Sequence, residues 1–277
     1  MSATTAEWRE IAAAKKIGVN RPVDEVLDLL RALSDFDTQM AAKRKKAGCS
    51  VPIAIVAGII GVIVGGNVGG TAGKIIFTVA MLGFAAAVYF LVLFLRLRAQ
   101  DLSDNLRNAA VPFLALLRED MNPGDRLYVD IDLRPYDIEE KKKKQSDPYN
   151  KGAYYKIIDR LYVDPWFNGS VALADGTKVH WKVIEHVVKR DKTKKTSRGK
   201  IKSKTKIKRK TIAVVTLGFP LKEYAVKTAD NVTRDEKRST VTMARKRKTD
   251  GADSPAFGML VDLIAEGYKR VSGARSA

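Results

Sequence analysis

Lysine occupies every second position in the stretch GKIKSKTKIKRK, residues 199–210. Side chains of a β-strand alternate between its two faces, so this spacing predicts a row of ammonium groups about 6.8 Å apart on one face. The other face would carry Ile201, Ser203, Thr205 and Ile207. A row of closely spaced cations has the chemistry of a binding site for anions.

The basic charge of the chain is concentrated around this row. The formal net charge is +19, and residues 189–210 contain 13 Lys and Arg residues against one acid, Asp191. Lysines on an exposed strand also discourage aggregation, so a solvated edge is the alternative interpretation. Because thirteen cations exceed what that role needs, we predict an anion-binding arm. Its binding residues are predicted to be Arg190, Lys192, Lys194, Lys200, Lys202, Lys204, Lys206 and Lys208.

The composition of the arm limits what it can recognise. Lysine outnumbers arginine ten to three in residues 189–210, and no aromatic residue occurs there. This composition therefore does not favour recognition of bases, either by bidentate hydrogen bonds or by stacking. We expect non-specific, salt-sensitive binding to anionic lipid, to nucleic acid or to an acidic protein.

Other arrangements that carry chemistry fail in detail. The stretch GGNVGGTAGK (65–74) departs from the phosphate-binding loop in its glycine spacing and in the Ile75 that follows its lysine. His180 and His186 share a predicted strand face about 20 Å apart, which is too far to chelate one metal. No nucleophile elbow or Cys/His metal set appears in the sequence. We therefore predict no enzyme activity, no metal and no cofactor.

Two uncharged segments predict a membrane anchor. Residues 75–95 are mostly apolar and about 32 Å long as a helix, which matches the bilayer core. Residues 51–73 form the predicted first span, although only residues 51–64 are strongly apolar. A buried or re-entrant arm that does not cross is the alternative for this first segment. Because fifty residues containing an amphipathic run precede it, we expect the anchor to be retained rather than cleaved.

The flanking charges predict the orientation of the anchor. Residues 43–46, KRKK, precede the first segment, Arg96 and Arg98 follow the second, and Lys74 is the charge between them. Basic residues are retained on the cytoplasmic side. Both termini and the β domain are therefore expected on the cytoplasmic side of the plasma (inner) membrane.

Small residues recur within the anchor at helical spacing. The predicted packing positions are Gly58, Gly61, Gly65, Gly69, Gly73, Ala80, Gly83 and Ala87. The stretch GIIGVIVGGNVGGTAGKIIFTVAMLGFAAA (58–87) resembles the glycine-zipper two-transmembrane segment of bacterial envelope proteins. This resemblance implies close helix packing and possible assembly. Packing of the hairpin on itself and formation of a homo-oligomer both remain open.

Periodicity predicts the elements that position the arm. Residues 126–134 alternate with a period of two and predict a strand. A three-residue turn at 174–176, with Gly176 in a left-handed conformation, would pair Val171 with Val179. Pairing residue i with residue 396 − i would place Trp181 opposite Val215 and the arm's cations on one face. Because like charges then lie opposite each other, the hairpin tip is expected to fray until an anion binds.

These elements define a membrane α+β fold: a two-helix transmembrane hairpin, flanking amphipathic helices, and a cytoplasmic antiparallel β domain with a long basic β-hairpin. The predicted segments are an N-terminal helix (1–50), the transmembrane hairpin (51–95), a juxtamembrane helix (96–122), the β domain (123–228) with its arm (189–210), a basic linker (229–253) and a C-terminal amphipathic helix (254–277). The helix is expected to cover the sheet through Phe257, Leu260, Val261, Ile264, Tyr268 and Val271, with a position on the membrane as the alternative.

The sequence thus predicts a membrane-anchored adaptor or scaffold whose lysine-rich hairpin binds an anionic surface or polymer. The alternative is a glycine-packed oligomeric membrane assembly that forms a ring, a pore or a docking platform for a larger complex.

Overall fold

The computed structural model describes residues 5–68, 70–99, 102–226, 232–235, 237–249 and 255–273. The chain divides into two compact units. Residues 1–31 and 103–277 form the β-rich unit, and residues 32–102 form the helical unit.

Two long helices dominate residues 23–99: α2, Val23–Asn67, and α3, Gly70–Ala99, which follow the short helix α1, Thr5–Ala14. Both α2 and α3 are long and apolar enough to cross a membrane. The apolar side chains of residues 51–67 and 70–95 in these helices are mostly exposed, as with Ile53 (69% exposed) and Leu82 (65% exposed), whereas the core helix of a soluble protein would be covered. The two helices therefore indicate association with a membrane.

The boundary between the two helices differs from the predicted one. The first segment was predicted to extend to residue 73, but α2 ends at Asn67 and α3 begins at Gly70. Gly70 has a φ of +72°, which glycine adopts without steric cost, and the chain reverses there. Gly73 and Lys74 therefore belong to the second helix.

The β-rich unit is built on an antiparallel sheet of nine strands in the described residues. Its main path runs β1-β2-β5-β6-β7-β10-β9, and β3 and β4 also pair with β5. The strands are β1 Lys16–Pro22, β2 Arg126–Asp132, β3 Lys142–Gln145, β4 Tyr149–Lys151, β5 Tyr154–Ala172, β6 Lys178–Lys195, β7 Ile201–Pro220, β9 Val232–Arg234 and β10 Arg238–Thr249. A separate pair joins β8, Tyr224–Val226, to β11, Val271–Gly273.

Helices cover one face of this sheet. They are a π-helical turn Leu106–Ala110, α4 Val111–Glu119 and α5 Ala256–Lys269, and a 3₁₀ turn Glu139–Lys141 precedes β3. The Phe113 ring of α4 lies 5.3 Å from the Trp181 ring of β6 and 5.9 Å from the Phe167 ring of β5. All three side chains are fully buried, so the core lies between α4 and the sheet. Gly267 of α5 lies against Leu217 and Met243, where a Cβ would clash.

Several predicted elements are confirmed. Strand β2 has the predicted alternation, with Leu127, Val129 and Ile131 fully buried. The turn after β5 pairs Val171 with Val179, and Gly176 has a φ of +78°. A buried face fixes strand register, because a slip of one residue would turn every apolar side chain to solvent.

Three predicted segments are wrong in detail. Residues 16–22 form strand β1 on the edge beside β2, within what was predicted as an N-terminal helix. Residues 238–249, predicted within a linker, form β10 along β7. Between the π-helical turn and the end of α3, the predicted juxtamembrane helix (96–122) is interrupted at residues 102–104, which are not helical. In each case pairing or packing with distant residues outweighs the local pattern.

The buried face of α5 also differs from the predicted one. Leu260 is buried as expected, but its buried neighbours are Ala256, Met259, Leu263 and Gly267. The predicted residues Phe257, Val261, Ile264 and Tyr268 are only partly covered, and Val271 lies in β11. The close approach of Gly267 to the sheet selects this face, because a larger residue would hold the helix away.

Candidate anion-binding face

Strands β6 and β7 form the predicted long hairpin in the predicted register. Trp181 lies opposite Val215, Val183 opposite Ala213, and the pairing continues to Lys195 and Ile201. A turn closes the hairpin: the Thr196 N–H donates to the Lys200 carbonyl (2.9 Å), and Gly199 has a φ of +76°. The strands are thus paired up to the turn, whereas the like charges predicted a frayed tip.

The register divides the distal hairpin into two faces. On one face Lys194 pairs with Lys202, Lys192 with Lys204, and Arg190 with Lys206. We call this the lysine face; it comprises the eight predicted binding residues, Arg190, Lys192, Lys194, Lys200, Lys202, Lys204, Lys206 and Lys208. It continues the sheet face that α4 and α5 leave uncovered, because the buried Trp181 and Val183 point the other way.

The lysines at even positions from 200 to 208, which lie in β7 and directly before it, carry unneutralised charge. Lys200, Lys202, Lys204, Lys206 and Lys208 are all exposed. Within the described part of the chain, no carboxylate lies within ion-pair distance of their Nζ atoms. Across the hairpin, Lys202, Lys204 and Lys206 each face another cation and Lys208 faces Val188, so none of these four faces an acid. The five lysines span about 27 Å of strand.

Arg190 differs from its neighbours because it already binds an anion. Its Nε and Nη2 each donate to a carboxylate oxygen of Asp159 on β5, both at 2.6 Å. This bidentate pair raises the pKa of the Arg190 guanidinium and holds the pKa of Asp159 below its usual value. Arg190 therefore contributes less free charge to the lysine face than its sequence position predicts.

An aromatic ring also lies beside the lysine face. The Nζ atoms of Lys192 and Lys194 lie 5.1 Å and 6.0 Å from the centre of the Tyr154 ring. Tyr154 is the first residue of β5 and lies outside residues 189–210. The composition of the arm therefore could not predict an aromatic ring beside these lysines. The ring orients the two β6 lysines through a cation–π contact.

The lysine face extends onto a third strand. Lys210 lies next along β7, and Lys248 of β10 is its cross-strand neighbour. Lys246 lies opposite Ile212 on the same face and is exposed. These three lysines were not among the predicted binding residues. Their basic character was visible in the sequence, but residues 238–249 carry no strong strand pattern that would place them there.

The single acid of the arm faces away from the lysine row. Asp191 accepts hydrogen bonds from Arg160 and from the Thr205 hydroxyl, the latter at 2.6 Å. Partial burial alone would raise the pKa of Asp191, but these hydrogen bonds and the Arg160 charge lower it below its usual value. The same face carries Ile201 and Ile207, which are 66% and 40% exposed.

A second group of charges is buried near the base of the sheet. The Lys141 Nζ lies 2.8 Å from the Asp164 Oδ1 and 3.4 Å from the Asp132 Oδ2, and it donates to the Arg134 carbonyl at 3.0 Å. Burial raises the pKa of Asp164 to about 6, although Lys141 opposes this shift. No group of three or more metal-ligating side chains occurs among the described residues. This cluster is a paired structural charge rather than a site with open ligands.

The predicted packing residues of the helical unit lie largely between α2 and α3. A Cβ on Gly61 would lie 2.7 Å from the Ala80 Cβ, and one on Gly58 would lie 3.1 Å from the Phe84 ring. Gly83 lies against Gly58, Gly65 lies beside Gly73, and Ala80 and Ala87 are buried. Gly69 lies outside the described residues. The described glycines of this set therefore contact the other helix of the same hairpin.

Comparison of the chain with protein-family models, with curated proteins and with solved structures gives no match.

Proposed function

We propose that this chain is an integral membrane protein whose lysine face binds an anionic surface or polymer, as a membrane-anchored adaptor or scaffold. The observation that carries the proposal is the row Lys200–Lys208. Five exposed lysines follow one strand face at regular spacing, and no described carboxylate neutralises them. Cations held side by side repel each other, and a bound polyanion offsets this repulsion along the whole row. The row therefore favours a polyanion over single ions.

The proposal includes the orientation argued from flanking charge. The anchor lies in the plasma (inner) membrane, with both termini and the β-rich unit on the cytoplasmic side. A cysteine introduced as Asn67→Cys, at the end of α2, should then be labelled by an impermeant thiol reagent from outside intact cells. Cys49 should not be labelled. Labelling of cysteines placed in residues 126–220 from outside would contradict this orientation.

The binding test uses the full chain in nanodiscs of zwitterionic lipid. Lys200, Lys202, Lys204, Lys206 and Lys208 are changed together to Gln. Binding of duplex DNA, and of vesicles that contain anionic lipid, should weaken at least about 100-fold at low salt, since each engaged cation contributes up to about 1 kcal/mol. For duplex DNA, the slope of log K against the logarithm of the salt concentration should become shallower by about four to five, because fewer counterions are released.

A matched control separates the row from the total charge. Lys156, Lys195, Lys222, Lys237 and Lys269 are exposed lysines of the same unit that lie outside the lysine face. Changing these five to Gln removes the same charge and should weaken binding far less. Equal losses in the two variants would show that net charge, not the row, controls binding. Retained binding in the first variant would contradict the proposal.

The contacts of the glycines do not favour the assembly alternative. Gly58, Gly61 and Gly65 each meet a neighbour on α3, so packing within one hairpin accounts for them. A lateral interface between copies needs small residues on the outer surface of the hairpin. Formation of a ring or pore stays a prediction, and the oligomeric state of the chain in mild detergent tests it.

A further inference from the structure

The outer edge of β7 is only partly covered by another strand. Strand β10 pairs with β7 from Pro220 to Arg209 and has its last pair at Thr249. Strand β6 covers the opposite edge of β7 along its whole length, to Ile201. Among the described strands, none pairs with the outer edge between Ile201 and Lys208. In the part of the chain that the structure describes, residues 201–208 therefore present an unpaired strand edge.

The hairpin turn identifies which backbone groups point outward. Because Thr196 N–H donates to Lys200 O, the even-numbered residues of the distal hairpin form the hydrogen-bonded pairs between β6 and β7. In an antiparallel ladder these pairs alternate with residues whose N–H and C=O groups point the other way. The outward-pointing residues of β7 are Ile201, Ser203, Thr205 and Ile207. Their backbone donors and acceptors are available to an added strand.

The side chains that border this edge restrict the added strand. A residue of the added strand lies beside either the lysine face or the face of Ile201 and Ile207. Acidic residues complement the first face, and apolar residues would cover the two exposed isoleucines on the second. A second copy of β7 would place lysines beside lysines, which is unfavourable. The edge thus selects a partner strand in which acidic and apolar residues alternate.

We propose that the edge of β7 from Ile201 to Lys208 binds an extended acidic segment of a partner protein by strand addition. Main-chain hydrogen bonds to the four outward-pointing residues align the segment, and its acidic side chains pair with the lysine face. This inference rests on the proposed function, because it uses the same lysines, and it names the partner class. Nucleic acid or a lipid surface would use the lysine face without the edge.

A peptide probe tests the alternation. The full chain, in nanodiscs of zwitterionic lipid, is titrated with an eight-residue peptide in which Glu and Val alternate, blocked at both ends. The control peptide has four Glu followed by four Val, with the same charge and composition. The alternating peptide should bind at least about tenfold more tightly, since only it matches both faces at once. Equal affinity of the two peptides would overturn strand addition.

N-methylation of the peptide tests the main-chain contacts without changing the protein. Methyl groups are placed on every second peptide nitrogen, in the two possible sets. Alternate N–H groups of a strand point in opposite directions, so one set would face β7 and block binding, whereas the other would face solvent and leave it intact. Equal affinities for both methylated peptides and the parent would overturn the inference.

A protein variant tests the edge from the other side. Ser203→Pro removes an outward-pointing N–H, and proline is tolerated at strand edges. Ser203→Ala keeps that N–H and is the matched control, because both changes remove the Ser203 hydroxyl that lies 3.5 Å from the Thr193 hydroxyl. Proline should weaken the alternating peptide about tenfold and alanine should not. If circular dichroism shows that the proline variant loses sheet, the methylated peptides decide.

The outcomes separate this inference from the proposed function. Binding of anionic vesicles and duplex DNA should be unchanged in Ser203→Pro and lost when the five lysines at even positions from 200 to 208 become Gln. If the proline variant keeps full peptide affinity while the lysine variant loses all binding, the edge inference is wrong and the proposed function stands. If the lysine variant keeps vesicle and DNA binding, the proposed function fails. A dimer of the chain that the proline change abolishes would show that a second copy occupies the edge, and would also overturn the inference.

Discussion

The base and the tip of the β6–β7 hairpin share one register but have different surroundings. At the base, Trp181 and Val215 face each other and are buried beneath α4 and α5. At the tip, Lys194 and Lys202 face each other in solvent, and Ile201 on the opposite face is exposed. The same alternation thus serves two purposes. Burial stabilises the base, whereas at the tip the side chains are exposed and carry the proposed binding surface.

The charges follow the same division. Toward the base of the sheet, charged side chains are buried and paired, as Lys141 is with Asp164 and Asp132. Toward the tip they are exposed, and the β7 lysines have no carboxylate partner among the described residues. A cation that stays hydrated costs the folded state little free energy, whereas an unpaired buried cation is costly. A strand can therefore carry a row of unpaired cations only where no other element covers the sheet.

The largest expected difference between base and tip concerns packing. Trp181→Ala should lower the free energy of unfolding of the β-rich unit by about 3–5 kcal/mol, because it leaves a cavity beside Phe113 and Phe167. Ile201→Ala at the tip should change it by less than about 0.5 kcal/mol, since that side chain is exposed. Denaturant unfolding followed by tryptophan fluorescence and circular dichroism measures both. Similar costs would mean that the tip is packed in solution.

The buried Asp164 predicts a pH dependence of the stability of the β-rich unit. Burial raises the pKa of Asp164 from its ordinary 3.8 to about 6, so the folded state holds the proton more tightly than the unfolded state does. The stabilisation from this protonation is complete below about pH 4 and is lost as the pH rises through about 6. It amounts to up to about 3 kcal/mol.

The Asp164→Asn variant isolates this effect. The difference in unfolding free energy between the variant and the unaltered chain should change by that amount between pH 4 and pH 7, with the unaltered chain losing stability. Carboxylates that do not interact with Asp164 titrate equally in both proteins and cancel. A constant difference across this range would show that Asp164 has an ordinary pKa in the folded state.

The bidentate pair of Arg190 with Asp159 marks the border between base and tip. Asp159→Asn should lower the free energy of unfolding by about 0.5–1 kcal/mol, since the pair is partly exposed. It should also free Arg190 for an anion. The slope of log K against the logarithm of the salt concentration for duplex DNA should then steepen by about one, because about one more counterion is released. Asp137→Asn is the control, because it frees Lys189 on the opposite face. Equal steepening in both variants would mean that the two faces bind alike.

The smallest expected effect is on the stability of the tip itself. Changing Lys200, Lys202, Lys204, Lys206 and Lys208 to Gln should raise the free energy of unfolding by a few tenths of a kcal/mol at low salt, because cross-strand repulsion is removed. The gain should vanish at high salt, where screening already suppresses the repulsion. A loss of stability would show that the lysine stems pack on the sheet.

Particular residues show where sequence reasoning about the fold succeeds. Leu127, Val129 and Ile131 alternate strictly, and β2 forms where they do. Asp175 and Gly176 mark a turn, and the register that follows from it pairs Val171 with Val179. These features depend on neighbours close in sequence or on one buried face, and both are visible as a pattern.

Other residues show why the rest was missed. Residues 16–22 contain Gly18, Asn20 and Pro22, which rarely form strands, and they become β1 because β2 offers an unpaired edge. The basic residues of β10 lie beside β7 for the same reason. A bulge between Pro165 and Phe167 lets β5 continue from Tyr154 to Ala172. Each outcome depends on a partner that is distant in sequence.

The sequence by itself determined the row of lysines, its parity and the two apolar helices, because spacing and composition decide which side chains share a face. Only the tertiary structure decided which cations stay free. Asp159 neutralises Arg190, Tyr154 lies against Lys192, and Lys248 comes beside Lys210, each from a strand that pairing brings into reach. The tertiary structure also decided that β10 pairs with β7 from Pro220 to Arg209, and that no described strand pairs with the outer edge of residues 201–208. Charge and periodicity are local properties of the chain, whereas a partner or an open edge exists only once distant strands are aligned.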